Sequence, residues 1–147
     1  MTDAPLALST IHEVRDACLC LATQRAARRL ARRFDRAFKP VGLTNQQFSL
    51  LMPLSAPQPQ SMAALADLMG MDRTTLTAAL KALERRGLVE VGRDPRDRRA
   101  RRLLLTDAGR AALAAALPIW RAEHARIEAE ITPTNAGALR AALRPIV

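Results

Sequence analysis

The sequence predicts a mainly α-helical fold with one small β-hairpin (α+β), and three observations carry that prediction. Aromatic residues are only 3% of the 147, so core volume must come from Leu, Ala and Met, which favours helices over sheets. Small Ala66 is followed four residues on by Gly70, with Leu65, Met69, Met71, Leu76 and Ala79 at buried positions. That register fits two helices joined by a short glycine-containing turn. Next, Val89 and Val91 share one face of a strand and Leu103 and Leu105 one face of the following strand. Between them lies Gly92-Arg93-Asp94-Pro95-Arg96-Asp97-Arg98-Arg99, so hairpin alternation brackets charged turn chemistry.

In chain order, a first long helix spans about residues 10 to 39 and ends at Pro40-Val41-Gly42, where proline cannot continue the ladder of hydrogen bonds. Its second half is two-faced, with Arg25, Arg28, Arg29, Arg32, Arg33 and Arg36 at helical spacing opposite Ala27, Leu30, Ala31, Phe34 and Phe38. A second helix starts at Thr44, where Thr44-Asn45-Gln46-Gln47 has capping-box form, and carries Phe48, Leu51 and Met52 inward. Ala56-Pro57-Gln58-Pro59-Gln60 is a loop. Ser61 caps a short third helix reaching about Met69, and Asp72 caps a fourth that runs to Arg86 and stops at Gly87. After the hairpin, Thr106 caps a long fifth helix interrupted by Pro118. An interior proline costs roughly 3 kcal/mol and predicts a kink just before Ile119-Trp120. Thr132-Pro133 starts a last helix with proline at its first position, ending near Leu143.

Lys and Arg number 23 against 14 Asp and Glu, a formal charge of +9, and with only Lys39 and Lys81 as lysines the cations are almost all arginine. Arginine's planar fork suits phosphates and guanine edges, so the composition points to a polyanionic partner. The chain shows no signal-like N-terminal stretch and no apolar run near 18 residues, which predicts a cytoplasmic protein with no membrane partner. Cys18 and Cys20 are the only cysteines, and His12 and His124 the only histidines. A disulfide scaffold, a multi-cysteine zinc site and a bound cofactor are therefore not expected. No nucleophile, base and orienting group form a recognisable set, and no glycine loop is built to cradle phosphate, so an enzyme is not expected either.

A helix-turn-helix followed at once by an arginine-tipped hairpin reads as a winged helix-turn-helix that binds DNA. The N-terminal turn of the fourth helix then enters the major groove, presenting Arg73, Thr74, Thr75 and Thr77, with Lys81 one turn further on. Arginine reads guanine O6 and N7, and threonine offers a hydroxyl with a methyl for thymine. Simple helix capping competes as the account of Asp72, Thr74 and Thr75, but it does not explain Arg73. In the wing, six arginines among residues 93 to 102 face only Asp94 and Asp97, a local charge of +4. Arg96 and Arg98 are expected on phosphates, and Ser61 and Thr44, at helix N-termini, offer backbone N–H groups to phosphate as well.

On the GLTNQQFSLL second helix, LADLMGMDRTTLTAALKALERRGLVEV, and above all DPRDRRARRLLLTDAG with its Asp97-Arg98-Arg99 tip, Leu105-Thr106 and Gly109, the chain resembles the MarR (multiple antibiotic resistance regulator) family. The resemblance covers essentially the whole length. It implies a single domain over residues 1–147 with a winged helix-turn-helix lobe at 44–105. The long N- and C-terminal dimerisation helices, 10–39 plus 107–145, interlock in a triangular homodimer. It implies a sequence-specific transcriptional regulator, a repressor released by a small organic effector. Its operator in double-stranded DNA would be an inverted repeat with half-sites about 10 base pairs apart. It also assigns Arg99 as the minor-groove arginine and Asp97 as its orienting carboxylate, and a narrow A·T-rich minor groove attracts such an arginine electrostatically.

Family members bind small aromatic or amphipathic effectors in a cleft beside the DNA-binding lobe, which makes Phe34, Phe38, Phe48, Met52 and Trp120 candidate lining residues. Apolar residues at helical spacing also serve a core. Arg28 and Arg32, with Arg36, would attract an anionic effector such as a carboxylate or an acyl-coenzyme A, and a solvated face or added attraction for DNA competes equally as their account. A second control mechanism is thiol-based oxidant sensing through Cys20 or Cys18. Two residues apart on one helix, these point to nearly opposite sides and act separately or across a dimer. Cys20 falls where the peroxide-sensing branch of the family places its reactive cysteine, with Gln24 and Phe34 standing where that branch has tyrosines. A buried, inert cysteine is the competing reading for each. The rival functions are an architectural, non-specific DNA-binding protein and, last, a membrane-surface role for the basic helix at 25–38, whose apolar face has few bulky interfacial residues.

Overall fold

The computed structural model describes residues 5–147, so the boundary expected at residue 1 lies outside the described residues. The chain divides into two compact units, Met1–Arg33 and Phe34–Val147.

In the first unit, α1 (Leu8–Ala17) is followed by α2 (Leu19–Phe38), whose last turn belongs to the second unit. The single first helix expected from periodicity is therefore two. Cys18 is extended, with φ −71° and ψ 106°, and its N–H closes α1 on the Val14 carbonyl. Its sulfur then accepts a hydrogen bond from Leu21 N–H at 3.4 Å. A thiol does here what a serine hydroxyl does at an N-cap, and a residue in that role cannot also be helical. No residue of α1 is buried, and Leu8, Ile11, Val14 and Leu19 are exposed.

The second unit holds the core. After α2 a 3-10 turn, Lys39–Val41, ends at Gly42 in the left-handed region, and α3 follows (Asn45–Leu54). The capping box is present: Thr44 accepts from Gln47 N–H, and the Gln47 side chain accepts from Thr44 N–H, both at 3.1 Å. Phe48, Leu50, Leu51 and Leu54 are buried, whereas Met52, expected inward, is 38% exposed. The buried arc of α3 runs from Leu50 through Leu54 and Leu51 to Phe48, and Met52 falls one step past its edge.

Next come α4 (Met62–Met69), capped by Ser61 and closed by left-handed Gly70, and α5 (Arg73–Arg85), capped by Asp72. Leu65, Ala66 and Leu76 are buried, with Met69, Met71 and Ala79 partly buried against them. Gly87, at φ 69°, turns the chain from α5 into the hairpin.

Strands β1 (Val89–Arg93) and β2 (Arg101–Leu105) pair antiparallel with Val89 opposite Leu105 and Val91 opposite Leu103. Val89, Leu103 and Leu105 are buried, as the alternation requires. The loop before α4 adds a bridge from Gln60 to Leu103 on the other edge of β2.

Helix α6 (Asp107–Glu130) runs unbroken through Pro118. Its start is tied to the hairpin base: Thr106 Oγ1 accepts from Gly109 N–H at 3.0 Å and donates to the Gly87 carbonyl at 2.6 Å. Gly109 is buried here, and a Cβ on it would overlap the Leu88 carbonyl oxygen. The last helix, α7 (Ala136–Leu143), begins after Asn135, whose side chain accepts from Ala138 N–H at 2.8 Å. It does not begin at Pro133 as expected, because Asn135 satisfies an N-terminal amide that the proline ring cannot accept from. It buries nothing, and Leu139, Leu143 and Ile146 are exposed. Among the described residues no helix is long and apolar enough to cross a membrane.

Candidate nucleic-acid interface

Three elements converge on one cleft of about 530 Å³: the N-terminus of α4, one face of α5, and the hairpin. Its floor is apolar, with Met62, Leu80, Val91 and Leu103, and its rim carries Ser61, Arg73, Thr77, Lys81, Glu84, Arg99 and Arg101. The α5 contribution follows from helical spacing, since residues 73, 77 and 81 stack on one face. Four cations against the single carboxylate of Glu84 leave the rim strongly positive. A phosphodiester is the natural partner for such a rim.

Five of the expected DNA-binding residues thus meet: Ser61, Arg73, Thr77, Lys81 and Arg99. Ser61 Oγ is engaged as a cap, accepting from Ala64 N–H at 3.1 Å. Thr74, Thr75, Arg96, Asp97 and Arg98 are exposed and do not line the cleft. Thr75 donates its hydroxyl to Asp72 at 2.7 Å and its backbone N–H to the same carboxylate at 2.8 Å. Those hydrogen bonds, the backbone one foremost, hold the Asp72 carboxyl below the ordinary carboxylate range. Thr77 donates its hydroxyl to the Arg73 carbonyl at 2.7 Å. Both threonines have spent their protons within the helix, so a base would meet a methyl group and an acceptor lone pair. Arg73 is exposed, and among the described residues no hydrogen bond or ion pair holds its side chain.

The wing tip is organised by two aspartates. Asp94 accepts from Arg96 N–H at 2.8 Å and Asp97 from Arg99 N–H at 2.9 Å, while Asp94 N–H closes on the Ala100 carbonyl. These are Asx-type turns. Asp97 acts on the backbone of Arg99, and the Arg99 guanidinium makes no ion pair among the described residues.

Arg101 and Glu84 were not singled out from the sequence, yet both line the cleft. Strand parity was the available signal for Arg101, which shares a face with Leu103 and Leu105. Glu84 lies seven residues beyond Thr77, again on the same side of α5.

The residues expected around an effector are distributed differently. Phe34, Phe38, Phe48 and Trp120 form a continuous stack, with ring centroids 5.7, 4.7 and 6.4 Å apart, and His124 extends it at 4.7 Å. The three phenylalanines are core residues; Met52 and Trp120 retain exposure. Arg28 and Arg32 are exposed in the first unit, along a groove with Arg25 and Arg29.

Both thiols are free, Cys18 at the junction of α1 and α2 and Cys20 exposed in the first turn of α2. Since the helix breaks at Cys18, the two do not sit on one continuous helix as expected. Cys20 Sγ faces the Gln24 amide at 3.1 Å, and Gln24 Oε1 accepts in turn from Arg28 at 3.2 Å.

The profile of the MarR family matches residues 43–100. Among proteins of known function, the chain is 40% identical over 78 residues to the transcriptional activatory protein BadR of Rhodopseudomonas palustris, covering 51% of this chain and 45% of BadR. The chain spans about half the length of the curated relatives it matches. Among solved structures it is similar to the M. tuberculosis transcriptional regulator MosR in complex with DNA, at 41% identity and a TM-score of 0.80, covering 88% of this chain and 92% of MosR. It is also similar to the transcriptional repressor CouR bound to a 23-mer DNA duplex, at 35% identity and a TM-score of 0.78, covering 97% and 99% of the two chains. CouR has been solved with p-coumaroyl-CoA as well.

Proposed function

Because the chain belongs to the MarR family of DNA-binding transcriptional regulators, we propose that it acts as a homodimeric repressor of an inverted-repeat operator and is released by a small organic effector. The observation that carries this reading is the cationic cleft that joins Arg73, Lys81 and Arg99 between α5 and the hairpin. On this reading α5 enters the major groove with Arg73 and Thr74 leading, and Thr75, Thr77 and Lys81 behind. Arg99 enters the adjacent minor groove from a turn shaped by Asp97, while Arg96, Arg98 and the α4 N-terminus at Ser61 hold phosphates. The exposed leucines, isoleucine and valine of α1 and α7 are what a second copy would cover.

The test is binding to the intergenic DNA beside the protein's own gene, with salt and unrelated competitor DNA titrated. Protection of one short inverted repeat that survives competitor is the expected result. Binding that any DNA competes away equally would replace the regulator with an architectural protein.

Thiol control is a second reading favoured by a specific observation, the Gln24 amide and Arg28 lined up behind Cys20 Sγ. On this reading peroxide abolishes operator binding, dithiothreitol restores it, and Cys20→Ser is insensitive. A wild-type protein unaffected by peroxide would remove it.

A further inference from the structure

We infer that the arginine ladder of α2 is a binding site for the phosphate groups of a nucleotide, of the kind an acyl-coenzyme A carries, rather than a merely solvated face. Arg25, Arg28, Arg29 and Arg32 are all exposed and line one groove of about 500 Å³ floored by Ala22 and Ala26. Between Ala17 and Phe34 the chain has no Asp or Glu at all. The flanking carboxylates are committed elsewhere: Asp16 to Arg15 at 2.6 and 2.8 Å, and Asp35 to the Asn45 N–H at 2.7 Å. Arg28 donates to Gln24, a neutral partner that orients the guanidinium without cancelling its charge. Among the described residues none of the four is paired with a carboxylate. Like charges four residues apart destabilise a helix, and Arg25 with Arg29, and Arg28 with Arg32, repeat that arrangement with no carboxylate paired to any of them among the described residues. A bound polyanion offsets it directly.

Spacing selects the kind of anion. Successive rungs four residues apart rise about 6 Å, and the ladder from Arg25 to Arg32 spans about 10 Å. A lone carboxylate would engage one rung. An anion with a diphosphate and a separate ribose phosphate can engage several, each guanidinium offering paired donors that match phosphate oxygens. Small Ala22 and Ala26 leave the groove floor open to the sugar. The same chemistry exists in the DNA backbone, so the experiment must separate the two sources.

This inference rests on the reading of the protein as a ligand-released regulator. The probes are coenzyme A and adenosine 3′,5′-bisphosphate, with phosphate-free pantetheine as control. They are titrated calorimetrically against the wild type, Arg28→Gln/Arg32→Gln, and Arg126→Gln, whose arginine pairs with Glu123 instead. Glutamine is a good helix former at these exposed positions, and thermal melts check folding. Both nucleotides should bind in a salt-sensitive manner and pantetheine should not. The double variant should bind about tenfold more weakly, with Arg126→Gln as wild type and operator affinity unchanged in every variant.

Failure of the wild type to bind either nucleotide overturns the inference, as does equal binding by the double variant or equal weakening in Arg126→Gln. Loss of operator affinity in the double variant with nucleotide binding intact would give the ladder to the DNA backbone. Nucleotide bound at the ladder without operator release by any coenzyme A thioester would leave the site standing and remove the ligand-released reading instead.

Discussion

Replacing Gly109 by alanine should destabilise the protein, although alanine is ordinarily the better helix residue. A Cβ at this buried position would overlap the Leu88 carbonyl oxygen and lie 2.8 Å from Leu105 Cδ1 and 3.1 Å from Leu105 Cγ. A leucine side chain can rotate away, but a backbone carbonyl at the entrance to β1 cannot, so the start of α6 must back off from the hairpin. That movement stretches the Thr106 bonds to Gly109 N–H and the Gly87 carbonyl, and the Arg110 bond to the Leu105 carbonyl at 2.8 Å. Overpacking of this kind costs about 1–3 kcal/mol, against a helix-propensity gain of up to about 1 kcal/mol. A net loss of about 1–2 kcal/mol corresponds to a melting temperature lower by roughly 2–8 °C in a chain of this size. Urea denaturation gives the free energy and a thermal melt the temperature. Gly92→Ala is the matched control, since its Cβ would meet only the Arg102 carbonyl at 4.0 Å. If Gly109→Ala proved as stable as wild type, the account of how α6 anchors the wing would be wrong.

Arg99→Ala should weaken operator binding and blunt preference for the minor-groove sequence, whereas Arg73→Ala should relax major-groove preference by about 1–3 kcal/mol at one base pair; competition with base-substituted operators reads both, and unchanged preference in both variants would sink the assignment. Arg86 donates to Gln47 at 2.8 Å across 39 residues of sequence, tying the end of α5 to the start of α3. A double-mutant cycle of Arg86→Ala and Gln47→Ala should return a coupling of about 0.5–1.5 kcal/mol in stability, and additivity would show the contact to be idle. Asp72→Ala removes the α5 cap. Because the folded carboxyl titrates below its unfolded value of about 3.9, the cap's contribution is fully present above that value and is lost as pH falls through the lower folded value. The stability gap between wild type and variant should therefore close on acidification, and a gap independent of pH would refute the charged cap.

Much of the fold was legible because it rests on short-range chemistry. Thr44 with Gln47, Ser61, Asp72 and Thr106 each cap a helix using amides three residues away, so neighbouring residues in sequence suffice to announce them. The hairpin register is likewise contained in the parity of Val89, Val91, Leu103 and Leu105. Gly70 and Gly87 announce their turns because a left-handed residue without a Cβ is cheap.

The features that eluded sequence reasoning depend on segments far apart in the chain or on competition between neighbouring signals. Cys18 interrupts a continuous helical pattern by capping with sulfur, and Asn135 outbids Pro133 as the start of α7. Met52 has the composition of a core residue but misses the buried arc of α3. Arg101 and Glu84 join the cationic cleft only once β2 is laid beside α5. Gly109 stands out in the sequence only as part of a family motif, and the physical reason for it is visible once α6 is seen pressed onto the Leu88 carbonyl. Caps and strand parity are set by atoms within a few residues, whereas close approach and burial are set by how whole elements pack, and packing distances leave no local trace in the order of the residues.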